Sequence, residues 1–301
     1  MSIIESAIAR MRNQAAGKNA PRVEASSKAE FRPRPNVRSP DIALPEPVEP
    51  SKKMTLDMSE LRRRGYLPEE SKDRQFAEHY RRIKRPLVDK AIASAAPGEP
   101  RVIMVTSALP GDGKTFTSLN LALSMALERD VSVVLVDCDV VKRHISQIVG
   151  LRNEPGLLDS LMDESVDVES LVVQTDHRGL AILPSGTRTE TTSELLSSNR
   201  MRQIMRYLCA RDPRRILLLD SPPLLITNEG QALVNMADQV VLVVRSGHTP
   251  RHALHEACAL FDEKRAGGIV LNDVVSGGTG GYYSYGSYEA YGAGGSNAQS
   301  P

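Results

Sequence analysis

The chain has 301 residues, of which 41% are hydrophobic and 25% are charged, and its formal net charge is +1. This length and composition fit one large folded domain with appendages, and the near-zero charge excludes a whole-chain attraction to nucleic acid. The odd number of cysteines, three, indicates reduced thiols and a cytoplasmic protein. We find neither a signal-peptide pattern nor a run of about 18 apolar residues, so no membrane-spanning segment is predicted.

Two segments precede the main domain. Residues 1–16 are predicted to form a short amphipathic helix, because Ile4, Ile8 and Met11 share one face. A helix this short is marginal alone, so its apolar stripe is expected to dock either on the body of the chain or on a partner. Residues 17–53 are rich in Pro, Ser and charge, which predicts a disordered linker.

A helix with one apolar side and one charged side is predicted to begin after Ser71 and to kink or restart at Pro86. Its apolar side carries Phe76, Tyr80 and Ile83, and its other side carries Glu78, Arg81 and Lys84. Most charged rows of this kind are simply solvated faces, and that interpretation stays open here.

From residue 54 to residue 275 the chain is predicted to form one domain in which helical patterns alternate with short strands rich in Val, Ile and Leu. The predicted strands are Val102–Val105, Val131–Val136, Leu180–Leu183, Arg215–Leu219, Gln239–Val244 and Gly268–Leu271. Continuous apolar strands separated by helix-length segments predict an α/β fold with a mostly parallel sheet and helices on both faces. Such sheets bind ligands beyond the carboxyl ends of their strands, so functional residues should follow strands.

A Gly-rich turn follows the first of these strands and reads Ser-Ala-Leu-Pro-Gly-Asp-Gly-Lys-Thr from Ser107 to Thr115. Strand, turn, Gly-Lys-Thr and helix together are typical of a P-loop, although Ala108 replaces the usual first glycine. Lys114 is expected to reach the β- and γ-phosphates of a nucleotide, and the Thr115 hydroxyl to ligate Mg²⁺. The predicted nucleotide-binding residues are Pro110, Gly111, Asp112, Gly113, Lys114, Thr115 and Phe116.

Carboxylates follow two further strands. Asp137 and Asp139 come at the end of the strand after the P-loop helix, and Asp220 ends a later strand. Since Mg²⁺ prefers hard oxygen ligands, these three carboxylates and Thr115 are predicted to surround a nucleotide-bound Mg²⁺. The alternative is that they cap the helices that follow.

The C-terminal segment, residues 276–301, is rich in glycine and holds a cluster of tyrosines. Five of the eight tyrosines of the chain lie between residues 282 and 291, namely Tyr282, Tyr283, Tyr285, Tyr288 and Tyr291. Glycine on both sides disfavours a stable helix or strand. Beside an ATP site these phenols are candidate phosphoryl acceptors, and an adhesive low-complexity tail is the alternative.

Together these motifs resemble the bacterial protein-tyrosine kinases (BY-kinases), and within them the autokinases of exopolysaccharide and PEP-CTERM (exosortase) loci. The resemblance runs from about Phe76 to Tyr291. Its parts are a Walker A motif at Pro110–Thr115, a Walker A′ motif at Val134–Asp139, a Walker B motif at Ile216–Asp220, and the tyrosine cluster.

The resemblance implies a tyrosine autokinase that uses ATP and Mg²⁺, with Lys114, Asp137, Asp139 and Asp220 as catalytic residues. Asp137 would be the base for the phenol, and the other two carboxylates would serve the Mg²⁺ ion. The family has Arg where this chain has Val141, and Lys142 and Arg143 follow that position here. Leu109 stands where partitioning and cell-division ATPases carry a signature Lys, which favours the kinase.

The resemblance also implies partners. The family's Glu-x-x-Arg-x-x-Arg helix builds a homo-oligomeric ring, and Glu78, Arg81 and Lys84 match it with Lys in the last position. A membrane chain-length determinant (polysaccharide co-polymerase) protein would recruit the chain to the inner face of the cell membrane, and a protein tyrosine phosphatase would be a further partner. Two alternatives stay open: an ATPase switch with incidental tyrosines, and a non-catalytic scaffold for the co-polymerase.

Overall fold

The computed structural model describes residues 52–94 and 100–274. The predicted N-terminal helix at residues 1–16, the linker up to residue 51 and the tyrosine segment at residues 276–301 lie outside the described residues. The first strand, β1 (Lys52–Met54), includes the last two residues of the predicted linker, so the linker prediction is wrong at residues 52 and 53. No helix in the described ranges is both long enough and apolar enough to cross a bilayer.

The predicted α/β fold is confirmed, since the described residues form one sheet in the order β1-β4-β5-β3-β6-β2-β7-β8. Every neighbouring pair is parallel except β4 and β5. The strands after β1 are β2 (Val102–Ser107), β3 (Ser132–Asp137), β4 (Val173–Thr175), β5 (Leu180–Leu183), β6 (Arg215–Asp220), β7 (Gln239–Arg245) and β8 (Ala266–Asn272). The six predicted strands are all present, with ends that differ by up to two residues.

Helices cover both faces of the sheet. Those before β5 are α1 (Met58–Arg63), α2 (Asp73–Ser94), α3 (Lys114–Ala126), α4 (His144–Ile148) and α5 (Leu157–Met162). Those after it are α6 (Thr192–Ser197), α7 (Asn199–Arg211), α8 (Asn228–Val234) and α9 (Arg251–Cys258). Helices α2 and α3 pack on one face, and α7, α8 and α9 pack on the other.

Both faces of the sheet are buried, which explains why its strands read as unbroken apolar runs. In β2, Val102 and Met104 contribute to one core cluster, whereas Ile103 and Val105 contribute to the other. Because successive side chains of a strand point to opposite faces, a strand covered on both sides needs an apolar residue at every position. All of β2 and β6 is buried accordingly.

The start of α2 differs from the prediction. Ser71 does not cap the helix but lies within a 3₁₀ turn at Glu70–Lys72, and α2 begins at Asp73. The Asp73 carboxylate suits a helix N-terminus and is held there by Arg62, whose Nη1 lies 2.8 Å from its Oδ1. Pro86 lies inside α2, which neither ends nor restarts there.

A buried ion pair ties β6 to the 3₁₀ turn before β4. Arg215 donates to both carboxylate oxygens of Glu169, at 2.6 and 2.8 Å, and also to the Leu208 carbonyl oxygen. Both side chains are only 10% exposed. Removing one partner would therefore leave an uncompensated charge in a poorly solvated place.

We expect Glu169→Ala to lower the free energy of unfolding by about 3 kcal/mol, because Arg215 would keep its charge without its partner. Urea unfolding followed by circular dichroism measures the change. Glu154→Ala is the matched control, since Glu154 pairs with Lys52 at an exposed site and should cost less than about 1 kcal/mol. Equal losses for the two variants would contradict the assignment.

Candidate nucleotide-binding and catalytic site

Three neighbouring strands bring the predicted site residues to one edge of the sheet. The order β3-β6-β2 places Asp137 at the end of β3, Asp220 at the end of β6 and the Gly-rich loop after β2. Asp137 and Asp220 occupy the same register position on paired strands. Parallel strands carry their carboxyl ends to the same side, so residues far apart in sequence meet there.

The loop from Pro110 to Gly113 turns directly into α3, which starts at Lys114. Gly111 and Gly113 have φ values of 87° and 95°. These angles lie in the left-handed region that side-chain-bearing residues rarely adopt, so both positions need glycine. The result is a loop of small residues at a helix N-terminus, which is an arrangement that binds phosphate.

Thr115 and Ser118 lie one turn apart on α3, and both donate hydrogen bonds to Asp220. Thr115 Oγ1 lies 2.9 Å from Oδ2, and Ser118 Oγ lies 2.9 Å from Oδ1. A hydroxyl group has one donor and two acceptor lone pairs. Because its proton is used on Asp220, Thr115 can still offer a lone pair to a cation.

Asp137 is completely buried, and its two oxygens have different surroundings. Oδ2 accepts hydrogen bonds from the backbone N–H and the hydroxyl of Ser146, at 2.7 and 2.6 Å. Oδ1 is buried and has no hydrogen-bond partner in the described chain. The helix-capping alternative therefore holds for one oxygen, since Ser146 lies in the first turn of α4, while the other oxygen remains available for chemistry.

The carboxylates repel one another in a poorly solvated place. Burial, together with the nearby charge of Asp220, raises the pKa of Asp137 to about 7. Burial also raises the pKa of Asp220 to about 6, although Lys114 and the two hydroxyls oppose the change. Burial lowers the pKa of Lys114, against the attraction of Asp220 and Asp139.

This donor set fits a magnesium ion held jointly by protein and nucleotide. Within the described ranges no three His, Cys, Asp or Glu side chains converge as a complete metal site. Mg²⁺ is commonly held by one or two carboxylates together with substrate phosphates and water. The hydroxyl of Thr115 and the Asp220 carboxylate that accepts its hydrogen bond suit that arrangement, and a cation would offset the repulsion between the carboxylates.

Two of the predicted site residues, Asp139 and Phe116, make contacts that stabilise the local fold. The side chain of Asp139 accepts a hydrogen bond from the Lys142 backbone at 3.3 Å, so it also shapes the turn into α4. The ring of Phe116 lies edge-on to Phe76, with ring centres 6.1 Å apart, and packs into the core. Only the backbone of Phe116 is therefore suited to contact a nucleotide.

Sequence reasoning missed four polar residues that structure the site: Ser118, Ser146, Thr249 and Asn272. Ser118 could have been found from its helical spacing to Thr115, and Asn272 from its position after an apolar strand. Thr249 and Asn272 contact Asp112 of the loop across more than 130 positions of sequence. No local pattern predicts contacts of that range.

The predicted oligomer contacts do not share one face. Glu78 and Arg81 pair at 2.6 Å on the exposed side of α2, where the Arg81 side chain is 66% exposed. Lys84 is 6% exposed, and its Nζ contacts Glu128 at 2.7 Å and the Ser124 carbonyl oxygen at 2.6 Å. The prediction that Lys84 lies on the charged side of α2 is wrong. Residues six apart on a helix differ by about 120° in direction.

Comparison with known proteins agrees with the P-loop geometry described above. A sequence profile of the AAA domain family matches residues 100–263. Tyrosine-protein kinase YwqD from Bacillus subtilis is 33% identical over 201 residues, which are 64% of this chain and 80% of YwqD. Tyrosine-protein kinase Wzc from Salmonella typhimurium is 28% identical over 188 residues, which are 60% of this chain but only 26% of Wzc.

A solved structure agrees with these relatives. The VpsO kinase domain superposes with a TM-score of 0.53 at 30% sequence identity, covering 65% of this chain and 98% of that domain. The profile match at residues 100–263 spans the P-loop and both strands that carry the carboxylates. From its sequence and its fold, the chain belongs to the bacterial tyrosine-protein kinases, which are phosphotransferases, and its AAA domain is the P-loop domain described above.

Proposed function

We propose that this chain is an autokinase that transfers the γ-phosphate of ATP to tyrosines of its own C-terminal segment. The acceptors would be Tyr282, Tyr283, Tyr285, Tyr288 and Tyr291. The observation that carries the proposal is the contact of Asn272, the last residue of β8, with the P-loop at 3.0 Å. The main chain therefore leaves the described domain beside the nucleotide loop.

The distance from this exit to the first acceptor supports the proposal. Tyr282 follows Asn272 by ten residues. A coil of that length spans roughly 17 Å root-mean-square, which permits transfer within one chain as well as between neighbouring chains. The tail entering a neighbour's site is the arrangement that the BY-kinase resemblance favours.

Asp137 is the proposed proton acceptor for the phenol. Tyrosine has an ordinary pKa of about 10, so transfer to a carboxyl of pKa about 4 would be uphill by about 8 kcal/mol. With the pKa of Asp137 raised to about 7, the same transfer is uphill by about 4 kcal/mol. Its lone oxygen Oδ1 has room for the proton, because Ser146 holds only Oδ2.

We assign the rest of the acceleration of phosphoryl transfer to positive charge near the phosphate and to positioning of the reacting groups. Lys114, buried at the start of α3, would place positive charge beside the transferring phosphate. A bound Mg²⁺ would supply further neutralisation of the phosphate charge. Asp220 orients Thr115 and Ser118 and thereby fixes the first turn of α3.

The cellular role proposed here is regulation of exopolysaccharide synthesis or export. A membrane chain-length determinant (polysaccharide co-polymerase) protein would hold the kinase at the inner face of the membrane, and a protein tyrosine phosphatase would reverse the modification. Phosphates accumulating on the tail would repel neighbouring subunits of a ring and weaken its assembly. Glu78 and Arg81 are the exposed candidates for that ring contact.

We expect the purified chain to acquire phosphate on residues 282–291 when it is incubated with ATP and Mg²⁺, as read by mass spectrometry. Lys114→Ala should acquire none, because the site loses the charge that faces the phosphates. Mixing the Lys114→Ala chain with an active chain cut before residue 276 tests transfer between chains, which would label the former.

Two results would favour the other functions. ATP hydrolysis without phosphotyrosine on any chain would indicate an ATPase switch. Absence of nucleotide binding would indicate a non-catalytic scaffold.

Asp137→Asn should abolish tail labelling while ATP still binds, and it should also change the pH dependence of stability. The folded chain holds the Asp137 proton more tightly than the unfolded chain, because the pKa rises from 3.8 to about 7. The stability from this group is complete below pH 3.8 and is lost as the pH rises through about 7. The variant should therefore exceed the parent in stability above pH 7, by up to about 4 kcal/mol.

Urea unfolding of both proteins in a metal chelator, at about pH 5 and about pH 8, measures this difference. If the stability difference between the variant and the parent does not grow with pH, the pKa of Asp137 is not raised in the folded chain. Full labelling by the variant would remove it from catalysis.

We expect Arg81→Glu to dissociate any self-assembly of the full chain, because two acidic side chains would replace the ion pair with Glu78. Analytical ultracentrifugation gives the mass. Arg63→Glu is the control, since Arg63 also pairs with a glutamate on an exposed helix face. Equal masses for the two variants would place the ring contact elsewhere.

A further inference from the structure

Asp112, at the apex of the P-loop, is held from two directions by residues that lie far along the chain. Thr249 Oγ1 donates a hydrogen bond to Asp112 Oδ1 at 2.8 Å. Asn272 Nδ2 donates to the Asp112 carbonyl oxygen at 3.0 Å. Asp112 is consequently only 3% exposed, although Gly111 beside it is exposed. We call Thr249 and Asn272 the clamp.

Each clamp residue is itself fixed by the end of β7. The Arg245 backbone N–H donates to Thr249 Oγ1 at 2.9 Å. The Ser246 backbone N–H donates to the Asn272 carbonyl oxygen at 2.9 Å. The clamp is therefore anchored to the carboxyl ends of β7 and β8.

The clamp restricts the conformational freedom that the two glycines give to the loop. Gly111 and Gly113, on either side of Asp112, are required for the backbone angles of the loop. Glycine also adopts many other angles, so the peptide between Asp112 and Gly113 could rotate to other orientations. A phosphate-binding loop that must be ordered by its ligand loses affinity, whereas one that is ordered beforehand does not.

The hydrogen bond to the Asp112 carbonyl fixes the orientation of the next N–H. In a trans peptide the C=O and the following N–H point in opposite directions. With the Asp112 carbonyl turned towards Asn272 on β8, the Gly113 N–H points away from the Asn272 side chain. A side chain on Gly113 would also collide with Asn272, since a Cβ there would lie 1.9 Å from its Nδ2.

We propose that Asn272 and Thr249 are positioning residues that hold the Asp112–Gly113 peptide of the P-loop in its phosphate-binding orientation before the nucleotide arrives. This inference rests on the proposed binding of ATP by the loop. It adds that β8, whose last residue precedes the tyrosine segment, takes part in phosphate binding through Asn272.

The test measures binding of Mg-ATP and of magnesium tripolyphosphate to the full chain by titration calorimetry. Tripolyphosphate has no base or sugar, so it reports on the loop alone. Asn272→Ala and Thr249→Val should each weaken both ligands roughly tenfold, as expected for losing one hydrogen bond that supports a charged ligand. Thr249→Ser keeps the hydroxyl and should bind both ligands within about twofold of the parent.

Asp273→Asn is the matched control, because Asp273 directly follows the last residue of the same strand. Asp273 pairs with Arg245 at an exposed site and does not touch the loop, and asparagine tolerates its φ of 55°. It should leave both affinities unchanged. If Asn272→Ala fails to fold, the comparison of Thr249→Val with Thr249→Ser decides the question.

Three results would overturn the proposal. The first is unchanged affinity for both ligands in the clamp variants. The second is weaker ATP binding by Asn272→Ala with tripolyphosphate unchanged, which would mean that Asn272 contacts the base. The third is an equal loss in Asp273→Asn. A parent chain that binds neither ligand would instead refute the proposed ATP binding itself.

Discussion

The burial of like charges at the carboxyl edge of the sheet is the constraint on which the site depends. Asp137 and Asp220 are fully buried on adjacent strands, and the pKa of each is raised by burial. Such a pair is unfavourable unless cations and hydroxyls offset the charge. Lys114, Thr115 and Ser118 supply part of that compensation, and a Mg²⁺ ion would supply more. A bound cation would therefore relieve the repulsion between these carboxylates.

The rest of the fold keeps these groups from moving apart. Strands buried on both faces leave β3, β6 and β2 no room to shift, because their side chains interdigitate with two separate core clusters. The first turn of α3 is tied to Asp220, and α4 is tied to Asp137 through Ser146. On the other side of the loop, where β7 and β8 end, the clamp likewise fixes the loop by hydrogen bonds to Asp112.

Local patterns predicted the sheet and the strand ends at which Asp137, Asp220 and the Gly-rich loop lie, for a physical reason. A strand covered on both faces requires an unbroken apolar run, and a phosphate loop requires glycine and a helix start at a set spacing. Strands β1 and β4 have three residues each, too few for a pattern to be visible, and they were not predicted. Lys84 was placed on the wrong side of α2, because spacing by threes drifts around a helix.

By itself, the sequence determined the α/β class, the P-loop, the strand-end carboxylates and the presence of a tyrosine-rich C-terminal segment. These follow from composition, periodicity and short motifs, which are local properties of the chain. Only the tertiary structure decided which oxygen of Asp137 is free, that Lys84 is buried against Glu128, and that Asn272 holds the P-loop. Those facts depend on distances between segments that are remote in sequence, and packing in three dimensions alone determines such distances.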